Sequence, residues 1–235
     1  MTEEKTGDPQ LDALERIVRI TERCLTEVDV DGAAVAVLTD DAGERDLLHS
    51  TDEAAARIDE LQFTTGEGPC LQAFLRGEPE LHADIGTSTV WPSFATELTT
   101  ELNIHSVFAF PLLSGNAKLG VLELYRREPA PLTDEQYAAA ERASAALGMA
   151  VVVELVTYAR SIEEGTFRPS DGPFNLARTD VSIAVGILAA TLRVAPEEAS
   201  ARLRARAFAE SKPVSDLAHD IVHNQGSLDD DTESA

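Results

Sequence analysis

The chain has 235 residues, 43% of them hydrophobic, and 42 acidic against 19 basic side chains give a formal net charge of −23. That apolar content excludes wholesale disorder, and the length suits one large domain or two of ordinary size. A charge of this sign opposes non-specific binding to nucleic acid, whose affinity is led by phosphate contacts.

No apolar run approaches membrane-spanning length, and the N-terminus has no basic-then-apolar leader pattern, so a cytoplasmic protein without a membrane contact is expected. Residues 1–10 are polar and acidic and read as a frayed tail. The two cysteines, Cys24 and Cys70, make no disulfide framework. No CxxC or His/Cys cluster has zinc spacing, so no metal site is expected. Phosphate-loop, GxGxxG and GxSxG patterns are absent. His82-Ala83-Asp84 and His105 read as structural residues near strand ends. The expectation is a protein that is not an enzyme.

In chain order, Leu14, Ile17, Val18 and Leu25 recur at helical spacing and predict an amphipathic helix over residues 11–28. Residues 33–38 form a short apolar run between Asp-Gly and Asp-Asp, a strand. Asp40-Asp41-Ala42-Gly43 turns into a second strand over 45–50. Further strands are expected over 81–83, 106–112 and 118–125, the last two joined by a hairpin at Ser114-Gly115-Asn116. From Thr133, with Glu135 and Gln136 following, an alanine-rich helix runs to about residue 160. Residues 161–174 (SIEEGTFRPSDGPF) read as a linker. Residues 175–225 then carry three short helical patterns, and 226–235 is an acidic tail.

Helix, two strands, a helical middle, further strands and a long closing helix resemble the GAF domain in their order. Particular residues support the resemblance. Gly66-Glu67-Gly68-Pro69-Cys70 followed by Ala73 looks like the loop-to-helix segment of GAF domains in antitermination regulators. Phe110-Pro111-Leu112 and Gly120-Val121-Leu122 look like the closing hairpin, and Trp91-Pro92 with Phe94 falls where the family has a helix beside its pocket. The resemblance implies an α+β sensor domain over residues 11–160, an antiparallel sheet flanked by helices. It also implies a small ligand, of unknown identity, held between sheet and helices. Candidate lining residues are Phe63, Cys70, Trp91, Phe94 and Phe108; the plainer reading of each is core packing. Cys70, opening a helix after Gly68-Pro69, is either a thiol activated by the helix N-terminus or a small buried hydrophobe.

The last sixty residues carry a second resemblance. The run Val181-Ser182-Ile183-Ala184-Val185-Gly186-Ile187-Leu188-Ala189 is followed by Pro196-Glu197-Glu198-Ala199, Leu203-Arg204 and Ser215-Asp216-Leu217-Ala218-His219-Asp220-Ile221-Val222. This order resembles the ANTAR domain, a three-helix RNA-binding bundle of transcription antiterminators. Read physically, Ala184, Ile187 and Leu188 form one stripe, and Ala199, Leu203 and Ala207 another. Pro196 suits a first helical position, and Ser215 suits an N-cap for a helix burying Leu217, Ala218, Ile221 and Val222. Each helix is narrow and needs the other two. Val185 stands where the family has a basic residue, and Ser211-Lys212-Pro213 where it has asparagine with basic residues.

The candidate RNA-binding residues are Arg193, Arg202, Arg204, Arg206 and Lys212, against the plainer reading of a solvated helix face. Between Asp171 and Gln225 six basic residues meet seven acidic ones, so this segment is nearly neutral while the remainder is acidic. Together the two resemblances imply a signal-responsive regulator that binds paired RNA hairpin loops and acts by antitermination. The alternative is a small-molecule or redox sensor whose C-terminal helices dock a protein. The apolar residues of the long closing helix, including Leu147, Val151, Val152 and Leu155, exceed what one sheet face covers, so a homodimer through the flanking helices is expected.

Overall fold

The structure is a computed structural model, and it describes residues 9–38, 45–164, 176–210 and 212–224. The expected turn at Asp40–Gly43, most of the tail over 1–10, most of the linker over 161–174 and the tail over 226–235 lie outside the described residues.

A five-stranded antiparallel sheet has the order β2-β1-β5-β4-β3, with β1 Gly32–Leu38, β2 Arg45–Ser50, β3 Glu80–His82, β4 Ser106–Ser114 and β5 Ala117–Arg126. Two long helices, α1 (Pro9–Val28) and α5 (Asp134–Glu163), cover one face. Three shorter ones, α2 (Glu53–Thr65), α3 (Pro69–Arg76) and α4 (Pro92–Glu101), cover the other. Helix α1 starts at Pro9, two residues inside the expected tail, and α5 runs three residues past its expected end.

Strand alternation sorts the core into layers. Ala33, Val35, Phe108, Phe110, Leu112, Leu122 and Leu124 face α1 and α5 and pack with Ile17, Leu147 and Val151. Ala34, Ala36, Val107, Ala109, Val121 and Tyr125 face the other helices. The central strands are therefore buried on both faces, as their nearly continuous apolar runs allow. Thr133 and Gln136 form a capping box at the start of α5: Gln136 N donates to Thr133 Oγ1 at 3.2 Å, and Thr133 N donates to Gln136 Oε1 at 3.0 Å.

Three C-terminal helices, α6 (Leu176–Leu192), α7 (Pro196–Ala209) and α8 (Val214–Asn224), pack around Ala184, Leu188, Ala199, Leu203, Ala207, Val214, Leu217, Ala218 and Ile221. Two expectations need correction. Ile187 does not join this core; it is exposed beside Ile183, because α6 is covered by only two partner helices. Ser215 is not an N-cap, since α8 begins at Val214 and the Ser215 hydroxyl turns outward to Glu60 on α2.

On α5, Leu147 and Val151 are buried within the chain by the sheet and α1, so they are not available to a dimer seam. Among the described residues, the large apolar side chains of α5 left exposed are Met149, Val153 and Val156, at 61%, 40% and 47%, on one stripe spaced four and three residues apart. Among the described residues, no helix is long and apolar enough to cross a membrane.

Candidate functional site

Helix α2 is the centre of the site because its two sides do different things. Asp52 caps its start by accepting from Ala55 N at 2.7 Å, and Gly66, at φ 69°, ends it. The side of α2 facing the sheet carries Asp59 and Gln62, both buried. Asp59 pairs with Arg45 from β2, whose Nη2 also lies 3.9 Å from Glu123 Oε2 on β5. Gln62 Nε2 donates to Glu123 Oε1 at 2.7 Å, and Gln62 Oε1 accepts from the backbone N of Cys70 at 2.9 Å. One buried polar network thus joins β2, α2, α3 and β5.

The Gly66-Glu67-Gly68-Pro69-Cys70 segment is built to admit this network. Gly68 has φ 137°, and a Cβ there would fall 2.5 Å from Gln62 Oε1. Only a glycine lets the Gln62 carboxamide reach the first turn of α3. Pro69 then occupies the first helical position, where a missing N–H costs nothing.

Burial dominates the electrostatics. It raises the Glu123 carboxyl to about 7, with Arg45 pulling the other way. Burial also pushes the Cys70 thiol well above its ordinary value, and the Glu123 charge adds to this. Burial thus opposes any lowering by the helix start, and the fully buried Cys70 side chain sits against Gln62 and Glu123 in this network. Cys24, the other free cysteine, is pushed up to about 12, again first by burial.

The five expected pocket residues do not converge. Phe108 is on the opposite side of the sheet, in the α1/α5 layer, because strand parity puts it with Phe110 rather than with Val107. Trp91 and Phe94 pack together on the α2/α4 side, where the Trp91 ring meets His82 edge-on at 5.0 Å. Cys70 belongs to the packing around α3. Phe63 lies on the far side of α2 and belongs to the core of the C-terminal bundle.

This last placement connects the two halves of the chain. Phe63 is 6% exposed and shares its cluster with Ala184, Leu188, Leu203 and Leu217. Ser215 Oγ donates to Glu60 Oε1 at 3.3 Å. The Arg204 guanidinium lies across the α2–α3 corner, with Nη1 3.2 Å from where a Gly66 Cβ would stand. Burial lowers its pKa. Thr64, Thr65, Glu67, Ser93, Ala201, Arg204, Ala205 and Phe208 line a cleft of about 390 Å³ at this junction.

The basic residues expected to meet RNA are distributed unevenly. Arg202 pairs with Glu198 at 2.5 Å, Arg206 with Glu210 at 2.7 Å, and Lys212 with the same Glu210 at 3.6 Å. Arg204 faces the N-terminal domain rather than solvent, since α7 packs on α2 with that side. Arg193 is exposed at the end of α6, in a left-handed conformation at φ 55°. Arg206 and Lys212 are brought together through Glu210, and Arg202 lies one turn before Arg206, while Arg204 is turned to the α2–α3 corner.

Sequence reasoning missed Arg45, Asp59, Gln62 and Glu123. Glu123 lies between Leu122 and Leu124, which reads as a solvent-facing position of a half-buried strand. The signal available was the strand's neighbours: Gly120 to Tyr125 is apolar at every position but Glu123, which marks both faces as covered.

Residues 12–152 match the GAF domain family. The chain belongs to that family. Solved structures agree with the GAF fold. The GAF domain region of a Geobacter sulfurreducens PCA protein superposes with a TM-score of 0.50 at 19% identity, covering 62% of this chain and 96% of that one. The GAF domain of a phosphoenolpyruvate-protein phosphotransferase from Coxiella burnetii scores 0.47 at 18% identity, over 68% and 98%. A type II free methionine-R-sulfoxide reductase from Thermoplasma acidophilum scores 0.48 at 14% identity, over 61% and 95%. No curated protein matches the chain significantly. The family match ends at residue 152, within α5, and α6–α8 follow it.

Proposed function

We infer that this GAF protein is a signal-responsive regulator whose output is the C-terminal bundle, an ANTAR-like module that binds paired RNA hairpin loops and acts by antitermination. The observation that carries the reading is the junction itself. A three-helix bundle, whose residue order resembles the ANTAR domain, is seated on α2, the same helix that holds the buried network of the GAF domain. A signal that repacks the Gln62 side of α2 moves Phe63 on its other side, and with it the bundle. Single-stranded loops are the readable form of RNA, because A-form helices hide their base edges.

The protein acts as a dimer through the exposed stripe Met149, Val153 and Val156, which places two bundles within reach of two loops. Exposed Arg193 leads the RNA surface, and Arg202, Arg206 and Lys212 join it by exchanging Glu198 and Glu210 for phosphate. Arg204 becomes available only when α7 leaves the α2–α3 corner. The chain works by binding rather than catalysis, and the burial of both cysteines, Cys24 and Cys70, supports this against a sulfoxide-reducing role.

A protein-docking output is the second reading. It is favoured by the exposed Ile183, Ile187 and Phe208 on the bundle and by the carboxylates paired to Arg202, Arg206 and Lys212. Titrating a labelled paired-hairpin RNA and a loop-scrambled control at fixed physiological salt separates the two. The RNA reading expects tighter binding to the intact loops, weakened at least tenfold by joint Arg193→Ala and Arg202→Ala. Equal binding to both RNAs by the wild-type protein and by a Phe63→Ala variant with a released bundle would overturn it.

A further inference from the structure

Two histidines of α8 and an aspartate of α6 meet at the surface of the bundle, away from the α2 junction. His219 and His223 are four residues apart, hence on one face of α8, and their rings lie 4.3 Å apart centroid to centroid. His219 Nδ1 is 3.0 Å and His223 Nε2 3.1 Å from the same oxygen, Asp180 Oδ2. The three donor atoms all lie within 4.8 Å of one another. Asp180 is 15% exposed and the histidines 61% and 52%, so the carboxylate is fixed by its surroundings while the open side of the cluster faces water.

We propose that Asp180, His219 and His223 form a binding site for a divalent transition-metal ion of the zinc class, which clamps α6 to α8. The donor set is what such an ion requires: two imidazole nitrogens and one carboxylate oxygen, with a fourth position left for water. Donors around a tetrahedral ion with bonds of about 2.0–2.1 Å stand roughly 3.3 Å apart. The two nitrogen-to-oxygen separations are each within a few tenths of an ångström of that edge. Imidazole selects against magnesium and calcium, which prefer oxygen-only cages. Sequence spacing hid the site because only the histidines are neighbours along the chain; Asp180 joins them through the packing of α6 on α8.

The clamp has a defined consequence. It ties the helix that carries Ser215 to the helix that carries Ala184 and Leu188, so the ion stabilises the bundle as a unit. The inference is independent of what the bundle binds.

The test uses cobalt as a spectroscopic probe and zinc as the stabilising ion, on the full-length chain freed of metal by chelator. One equivalent of Co²⁺ is expected to give visible d–d absorption, displaced stoichiometrically by Zn²⁺ and untouched by millimolar Mg²⁺. The double variant His219→Ala/His223→Ala and the single variant Asp180→Asn should weaken Co²⁺ at least tenfold. All three side chains are polar and only Asp180 is largely covered, so far-ultraviolet circular dichroism is expected to match the wild type and serves as the folding control. Zinc at about a hundred times its dissociation constant should slow amide exchange in α6 and α8 about a hundredfold wherever exchange passes through bundle opening. Absence of Co²⁺ absorption in the folded wild type would overturn the proposal, as would equal affinity in the His219→Ala/His223→Ala variant.

Discussion

Replacing Phe63 by alanine should release the C-terminal bundle while leaving the GAF sheet intact. Phe63 is 6% exposed, and among the described residues the buried core residues in its cluster belong to α6, α7 and α8. A phenylalanine hides about 150–250 Å² of surface, and at about 25 cal/mol per Å² full burial corresponds to roughly 4–6 kcal/mol. That is an upper bound: part of the ring stays covered by α2, and compact unfolded states already hide some apolar surface. Phenylalanine-to-alanine changes in cores cost about 3–5 kcal/mol. The share that bears on docking is then about 2–3 kcal/mol, a 30- to 150-fold shift toward the undocked bundle.

Amide hydrogen exchange resolves this, since it reports local opening separately from global unfolding. Amides of α6–α8 should exchange faster by that factor, while those of β1, β4 and β5 change by less than threefold. Phe63→Leu should give an intermediate effect, near 1 kcal/mol. If sheet and bundle amides lose protection equally, Phe63 is part of a single cooperative unit, and α2 does not act as a separable latch. Unchanged exchange in α6–α8 would likewise refute the reasoning.

Three further outcomes follow from the same structure. The Glu123 carboxyl has a folded pKa raised to about 7, so the folded state binds its proton more tightly than the unfolded chain does. Its stabilising contribution is complete below about pH 4.5 and is lost as the pH rises through 7, on the order of 3 kcal/mol. Urea titrations should therefore show Glu123→Gln gaining stability relative to wild type between pH 5 and 8; a pH-independent difference would contradict the buried charge. Cys24 and Cys70, both buried with raised pKa values, should resist a thiol reagent at pH 8 in the native protein and react fully in denaturant; rapid native labelling of Cys70 would restore the reactive-thiol reading. Finally, Val153→Glu combined with Val156→Glu should convert a dimer to a monomer by sedimentation without lowering stability by more than about 1 kcal/mol, because both side chains are already exposed in the single chain. A wild-type monomer at tens of micromolar would remove the dimer from the mechanism.

Where the chain announces its structure and where it hides it has a physical pattern. The hairpin at Gly115, the capping box at Thr133 and the two-sided apolar runs of β4 and β5 are local features, and the sheet follows from them. The family-specific loop at Gly66–Cys70 was visible as a motif, but its purpose was not: Gly68 makes room for Gln62, six residues earlier, and that fit exists only in three dimensions. The pocket prediction failed at Phe108 for a matter of parity, because a one-residue step along β4 changes the face. It failed at Phe63 because α2 has two buried sides, and a periodic pattern does not say which neighbour covers which side. Asp180, His219 and His223 were illegible for a similar reason, since their meeting depends on how α6 crosses α8.

Helix α2 deserves its central place on energetic grounds. Gln62 and Phe63 are adjacent residues pointing to opposite neighbours, so no chain of intermediates is needed between sensor and output. The Gln62 side is polar and fully enclosed: breaking the Gln62–Glu123 bond leaves buried groups unsatisfied, which costs about 1–3 kcal/mol. The Phe63 side holds the bundle by an energy of the same size. Two comparable terms on one short helix allow a ligand that rearranges the first to decide the second, whereas a network ten times stronger would hold α2 rigid against any signal. If the bundle binds RNA as proposed, the coupling is reciprocal, and RNA that captures the released bundle must also bias the buried network toward its rearranged state. Exchange at the Cys70 amide, which donates to Gln62, is the place to read that bias: it should accelerate when a specific RNA binds, and constancy there would mean that sensor and output are joined by contact without being coupled.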